Sequence, residues 1–378
     1  MQIDYSKRIF GLDLMRAVAI LMVVFSHIRW ITPNAHGVIP DIMSISGVMG
    51  VEIFFCLSGF LIGRILYRTY LSPEFNFKSV FYFWIRRWFR TLPNYYLVLI
   101  LNILIVLYIG NELPEHLWRY FLFLHNFVTE MPLFFAESWS LSIEEFAYLL
   151  GPFLLYMTLF WKSETPKPKL FLLITLTIIV AFLVSKLIYN SSETIRDMRH
   201  WNVNVKGMVI YRIDAIYFGV LGAYLSIVYP DFWKRIRFVI FPIGLFLLLG
   251  LIFLIPMNGI FINSYPAFWN VWYFEIKSLA LLCTLPLLSY WRSNTSWFLK
   301  PVTYISIISY AIYLLHYSII MQLMKYFIPS EPLAGFDIAV YIFVYVLITL
   351  VSSYFLYRFY EKPLTDLRDS KWIKSSLN

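Results

Sequence analysis

The stretch that decides the fold runs from Gly11 to His27, GLDLMRAVAILMVVFSH. It is long and apolar enough to be a membrane helix, for which about 20 residues suffice. Yet it carries Asp13, Arg16 and His27. Arg16 and His27 stand eleven residues apart. On a helix that spacing returns to nearly the same face, roughly 16 Å further along the axis. One stripe of one helix therefore holds a cation near one end and an imidazole near the other. An ionisable group inside a span costs about 3 kcal/mol or more, so three on one helix call for a functional reason.

Outward from this stretch the composition agrees with a membrane chain. The 378 residues are 60% hydrophobic and only 14% charged, with a mean hydropathy of +0.69. Soluble domains run near a quarter charged. The first span has no small-residue cleavage site and holds charges inside its apolar run, unlike a signal peptide. The expected fold is all-α and polytopic, a single domain over 1–378. Its ten spans are read near 10–30, 48–67, 92–110, 139–161, 170–189, 208–229, 237–255, 271–291, 302–325 and 335–357. The segment 117–128 is too short to cross and reads as re-entrant or interfacial. No repeat or low-complexity tract is visible. Cys56 and Cys283 lie in apolar runs and suggest neither a disulfide framework nor a metal.

The loops alternate in charge. One set holds Lys7 and Arg8; Arg68, Lys78, Arg86, Arg87 and Arg90; Lys162, Lys167 and Lys169; Lys234, Arg235 and Arg237; Arg292 and Lys300; and Arg358, Lys362, Arg368, Lys371 and Lys374. The other holds only Arg119, Arg196, Arg199 and Lys206. The positive-inside rule then places both termini in the cytoplasm, with Arg16 inward and His27 outward. The net charge of +9 is read in the same way, as contact with membrane lipids and not with nucleic acid.

Several polar constellations interrupt the spans. Gly50, Ser58, Gly59 and Gly63 in the second span are small residues that let helices approach closely, whereas Glu52 beside them needs a partner or water. Arg86, Arg87 and Arg90 lie in FYFWIRRWFRTLPNYY, read as an aromatic-rich loop into the third span. They suit either lipid headgroups or a phosphate ligand, for which Arg is adapted. Glu137, Glu144 and Glu145 gather at the outer end of the fourth span. Such carboxylates either move protons near neutrality or pair with an intramembrane Arg. Arg212 and Asp214 either neutralise each other or reach to other helices. Glu275 and Lys277, two residues apart, each pair elsewhere or snorkel outward. Ser309, Tyr313 and His316 share a helix face, and His316 is read either as a packed or as a functional histidine. Glu361 before Pro363 is read as a helix stop with an ion pair. No HExxH, Walker A, GxGxxG or GxSxG motif is present.

In order along the chain, these motifs resemble the acyltransferase-3 family of integral-membrane O-acyltransferases, most of which modify carbohydrates at bacterial surfaces. The resemblance rests on seven features: Arg16 and His27 in the first span; GVEIFFCLSGFLI at 50–62; Arg87-x-x-Arg90 with Leu92-Pro93; WSLSIEE from Trp139 to Glu145; Arg212-Ile-Asp214; SYAIYLLH ending at His316; and Glu361-x-Pro363. It implies transfer of an acyl group, acetyl by default, from cytoplasmic acyl coenzyme A to a hydroxyl of a surface or lipid-linked glycan. It implies a multi-pass protein of a bacterial inner or plasma membrane. Acyl coenzyme A is a co-substrate, and no tightly bound cofactor or metal is expected. Some members carry a fused extracytoplasmic esterase-like domain. This chain reads as the stand-alone form, transferring directly or handing the group to a separate extracytoplasmic partner.

Under that resemblance, Arg86, Arg87 and Arg90 meet the coenzyme A phosphates and Arg16 lies deeper. His27 is the expected general base or acyl carrier. Asp13 and the Glu144–Glu145 pair complete the expected catalytic group, with either glutamate holding the imidazole or pairing with Arg16 or Arg212. Ser140, Tyr313 and Arg16 are candidate oxyanion donors. Glu52, Ser58, Trp139, Arg212, Asp214 and His316 are expected in or around the substrate pocket. The rival expectation is a transporter that moves a glycan, lipid or acyl donor without chemistry. It predicts inverted or parallel repeats, which the sequence does not display.

Overall fold

The computed structural model describes residues 8–160, 164–192, 197–292 and 297–367. Lys7, Lys162, Arg196, Arg368, Lys371 and Lys374, all counted in the loop charges, lie outside the described residues, as does the last residue of the expected fourth span.

The described residues are helical, in fifteen α segments: α1 (Phe10–Ile28), α2 (Val38–Leu71), α3 (Phe77–Ile109), α4 (Trp118–Phe121), α5 (Ser138–Met157), α6 (Lys167–Ser192), α7 (Met198–Trp201), α8 (Asp214–Val228), α9 (Pro230–Leu249), α10 (Ile255–Met257), α11 (Tyr273–Tyr290), α12 (Leu299–Leu315), α13 (Gln322–Phe327), α14 (Phe336–Leu356) and α15 (Lys362–Leu367). Short π-helical turns fuse α9 to α10, α12 to α13 and α14 to α15. Among the described residues nine rods are then long and apolar enough to cross a membrane. The chain is an all-helical, multi-pass membrane protein. The expected sixth span is the exception, because its first residues form a short 3₁₀ turn, Val209–Tyr211, and leave only the 15-residue α8.

Other boundaries move for local reasons. Asn76 caps α3, accepting from the Ser79 amide while the Ser79 hydroxyl returns to the Asn76 amide. This capping box starts the helix at Phe77, so Arg86, Arg87 and Arg90 stand on its third and fourth turns and not in a loop. Gly110, at φ +82°, ends it. Pro363 does not stop the last helix. The backbone passes through the π turn Tyr357–Glu361 and continues to Leu367. The segment 117–128 contains one four-residue helix followed by turns.

α2 is the axis of the bundle, packed lengthwise on α1 and α8, while α9 lies on α11 and α1 on α12. Gly59 and Gly219 make the α2–α8 crossing close. A Cβ on Gly59 would sit 1.8 Å from the Ile216 carbonyl oxygen, and one on Gly219 2.1 Å from that of Cys56. Small residues at such contacts let the backbones pack without lipid between them. α14 faces outward and presents Phe343, Leu347, Val351 and Phe355, an apolar surface suited to acyl chains.

Candidate active site

Between α1, α2, α3, α5 and α12 lies a cavity of about 800 Å³, its open mouth included. One end is basic. Arg87 and Arg90 project from the same face of α3, three residues apart, and both line it with Arg16. Arg87 donates to the Tyr148 hydroxyl at 2.9 Å and stands 3.5 Å from Glu144 Oε1. Ser58 and Tyr148 also donate to Glu144. The carboxylate is thus enclosed by one cation and two hydroxyls. Arg90 lines the same end and makes no ion pair within 4 Å among the described residues. Arg86 does not line the cavity; it donates to the Tyr82 hydroxyl at 2.9 Å.

Arg16 is tied from behind. Its Nη1 donates to Ser306 Oγ at 3.1 Å and lies 3.6 Å from Asp13. Asp13 accepts from Arg8 at 2.7 Å and from Ser306 at 2.7 Å. It is buried and lies outside the cavity lining.

The other end is hydroxylic. Ser140, Ser309 and Tyr313 line it. The Tyr313 hydroxyl donates to the Glu137 carbonyl at 3.0 Å and lies 2.6 Å from Ser140 Oγ. One turn beyond Tyr313, at the start of the π turn His316–Met321, His316 meets His27. His316 Nε2 is 3.2 Å from His27 Nδ1, and the rings cross edge to face at 4.7 Å. The backbone carbonyls assign the tautomers. His316 Nδ1 lies 2.8 Å from the Tyr313 carbonyl, and His27 Nδ1 lies 2.8 Å from that of Val23. A carbonyl only accepts, so both Nδ1 atoms carry protons. That leaves lone pairs on His316 Nε2, turned to His27, and on His27 Nε2.

The expected carboxylate cluster is split along α5. Glu144 and Glu145 lie about 10 Å or more below Glu137 along the axis. Glu145 accepts from Thr91 at 2.8 Å, and neither it nor Glu144 contacts His27. The carboxylate at the histidine end is Glu137, whose Oε1 accepts from the Ser318 hydroxyl at 2.5 Å and amide at 3.2 Å. It stands just before α5, and burial pushes its pKa up to about 7. Glu361 is likewise buried and accepts from Asn94 at 2.8 Å instead of making the expected ion pair.

Glu52, Arg212 and Asp214 lie outside the cavity lining, in a second buried assembly. Glu52 pairs with Arg212 and lies 3.4 Å from Lys277, while Lys186 bridges Asp214 and, at 2.5 Å, Glu275. Three acids and three cations cancel, and the Arg212 guanidinium lies 3.7 Å from the Phe274 ring centroid. Arg212 and Asp214 therefore reach to other helices, as do Glu275 and Lys277. The assembly ties α2, α6, α8 and α11 together. Lys186, alone in the apolar run FLVSKLIY, was the signal for it that sequence reasoning passed over. Trp139 is also outside the lining, its ring edge-on to Phe55 and under Lys206 at 4.9 Å.

A protein of Bacillus subtilis (strain 168), provisionally named a peptidoglycan O-acetyltransferase, YrhL, is 25% identical over 96% of this chain and 55% of its own length. A provisionally named O-acetyltransferase of Staphylococcus aureus (strain COL) is 26% identical over 93% of the chain and 56% of its own. Peptidoglycan O-acetyltransferase OatA of Listeria monocytogenes is 26% identical over 84% and 50% respectively. The chain spans about half the length of these curated relatives. No solved structure matches it. The family described as "Acyltransferase domain" matches residues 9–358, and the chain belongs to that family of acyltransferases.

Proposed function

We propose that the protein transfers an acyl group, acetyl by default, from cytoplasmic acyl coenzyme A to a hydroxyl of a cell-envelope glycan or lipid-linked glycan. The observation that carries this reading is the cavity, basic at Arg87 and Arg90 and hydroxylic at Ser140 and Tyr313, with the His316–His27 pair one turn further on. A donor held by its phosphates at one end needs a long arm to bring its thioester to the other, and pantetheine is such an arm. The three relatives carry O-acetyltransferase names, two of them for peptidoglycan, which makes peptidoglycan the first acceptor to try.

In this mechanism the protein sits in the bacterial plasma membrane with both termini cytoplasmic and the histidine end outward. His27 Nε2 takes the proton of the acceptor hydroxyl, whose oxygen attacks the thioester carbonyl. Donors near Ser140 and Tyr313 stabilise the oxyanion. On collapse the C–S bond breaks, and the thiolate takes the proton back from the imidazolium. A positioned base contributes about two to four powers of ten in rate. Acylation of His27 itself, with later transfer to the acceptor or to an extracytoplasmic partner, uses the same geometry. The test is His27→Ala in membranes, with expression verified and label followed from acetyl coenzyme A to glycan. A fall in turnover of at least about a hundredfold is expected, and near-normal turnover overturns the assignment.

A further inference from the structure

A second cavity opens at the same end of the bundle as His27, between the turns after α3 and the π turn Asn202–Lys206. It holds about 1080 Å³, its open mouth included. Its polar lining includes Glu115, His116, Arg119, His125, Glu130 and Asn204. Asn204 donates to Glu130 Oε1 at 3.1 Å and so joins the two walls.

His125 is the unusual member. It is 3% exposed, stacked on Tyr120 at 4.1 Å, and its Nε2 lies 2.8 Å from Ser138 Oγ. Its Nδ1 has no hydrogen-bond partner among the described residues. A buried ring nitrogen without a partner is costly, and this one belongs to a side chain that lines an open cleft. Burial pushes its pKa down to about 3, so the imidazole is neutral and offers the ligand no charge.

The lining selects a ligand class. Two carboxylates against one arginine disfavour an anion. The acceptors Glu115 and Glu130, the Asn204 amide and a neutral imidazole suit a ligand rich in hydroxyls. Val128, Pro132 and Met208 between them suit the C–H face of a pyranose. Across the first turn of α5, Ser138 binds His125 while Ser140 binds Tyr313. The cleft and the hydroxylic end of the first cavity are thus separated by about one helix width, roughly 10 Å. We propose that this cleft seats a neutral sugar unit of the acceptor glycan, one or two units from the sugar that is acylated. The proposal rests on the acceptor being a glycan, as proposed above.

The test uses the full chain in nanodiscs and N-acetylglucosamine oligomers of one to six units. Two measurements are made: direct binding by saturation-transfer NMR, and acetyl transfer to the same oligomers. The probe variant is Glu115→Gln with Glu130→Gln, both residues being exposed; His125→Gln is the second. The expected result is binding that strengthens with oligomer length in the native chain. Either variant should lose about tenfold in affinity for the longer oligomers, with an equal rise in their KM, and leave kcat and monosaccharide turnover unchanged. Oligomer binding and transfer that both variants leave intact overturn the cleft while leaving the acyltransferase reading standing. Binding with no transfer to any oligomer supports the cleft and counts against the acyltransferase reading. A chain that binds no oligomer overturns the cleft, whatever its turnover.

Discussion

Arg87 and Arg90 face the same cavity, yet the structure separates their roles by what each leaves behind when removed. Arg90 has no ion-pair partner within 4 Å among the described residues, so Arg90→Ala breaks no close ion pair. Its stability should stay within about 0.5 kcal/mol of the native protein. If it binds a donor phosphate, the lost charge-assisted contact is worth about 1.5–3 kcal/mol, which raises the KM for acetyl coenzyme A roughly 10- to 150-fold. Arg87→Ala is different. It removes the donor to Tyr148 at 2.9 Å and the cation 3.5 Å from Glu144, leaving a half-buried carboxylate with two hydroxyls. That variant should lose about 1–3 kcal/mol of stability as well as affinity. The assay is initial-rate kinetics in nanodiscs against acetyl coenzyme A, paired with thermal unfolding of each variant. Arg90→Lys, which keeps charge but loses the two-pronged donor geometry, should fall between. A folded Arg90→Ala protein with an unchanged KM would refute the reasoning and return both arginines to lipid anchoring or packing.

Other outcomes follow from the buried groups. Lys186→Met strands Asp214 and Glu275 without their shared cation and should cost about 3–5 kcal/mol, seen as a large drop in detergent melting temperature; a change within 1 °C would contradict the network. Gly59→Ala drives a Cβ into the Ile216 carbonyl and should cost about 1–3 kcal/mol, measured in the same way, with α2 and α8 parting. Glu137 has its folded pKa raised from 4.5 to about 7 by burial. Between those values the folded state binds more protons than the unfolded one, so stability from this group falls as pH rises from about 4.5 to 7. Melting temperature against pH should show that slope, and Glu137→Gln should reduce it.

The membrane class and most spans were legible because a bilayer imposes length and hydropathy on each segment separately. The motif residues were legible one at a time, but their partners were not. Glu144 and Glu145 were expected to hold the imidazole or to pair with Arg16 or Arg212, because in sequence they gather with Glu137 at the outer end of one span. Two turns of α5 suffice to put them against Arg87 and Thr91 instead. Glu52, Arg212 and Asp214 were expected in or around the substrate pocket because the family resemblance implies it. What locates them in a separate assembly is Lys186, Glu275 and Lys277 from other helices, and pairing across 89 or 160 residues leaves no local pattern. The α3 start was missed for a smaller reason: Asn76 and Ser79 form a capping box well upstream of the apolar run. The approach of His27 to His316 across 289 residues depends on the π turn after Leu315, which no periodicity in the sequence announces.

The neutral six-charge assembly also sets an order on biogenesis. Glu52 enters the membrane with α2, but its partner Arg212 is made 160 residues later, and Lys277 later still. At about 5–20 residues per second of synthesis, the wait for Arg212 is roughly 8–32 s. Throughout it the nascent α2 must hold Glu52 at the water interface or uncharged, since an isolated ion in hydrocarbon is costly. Lys186 waits likewise for Asp214 and Glu275. The bundle therefore completes the pairing of its buried charges only once α11, which carries Glu275 and Lys277, has been inserted.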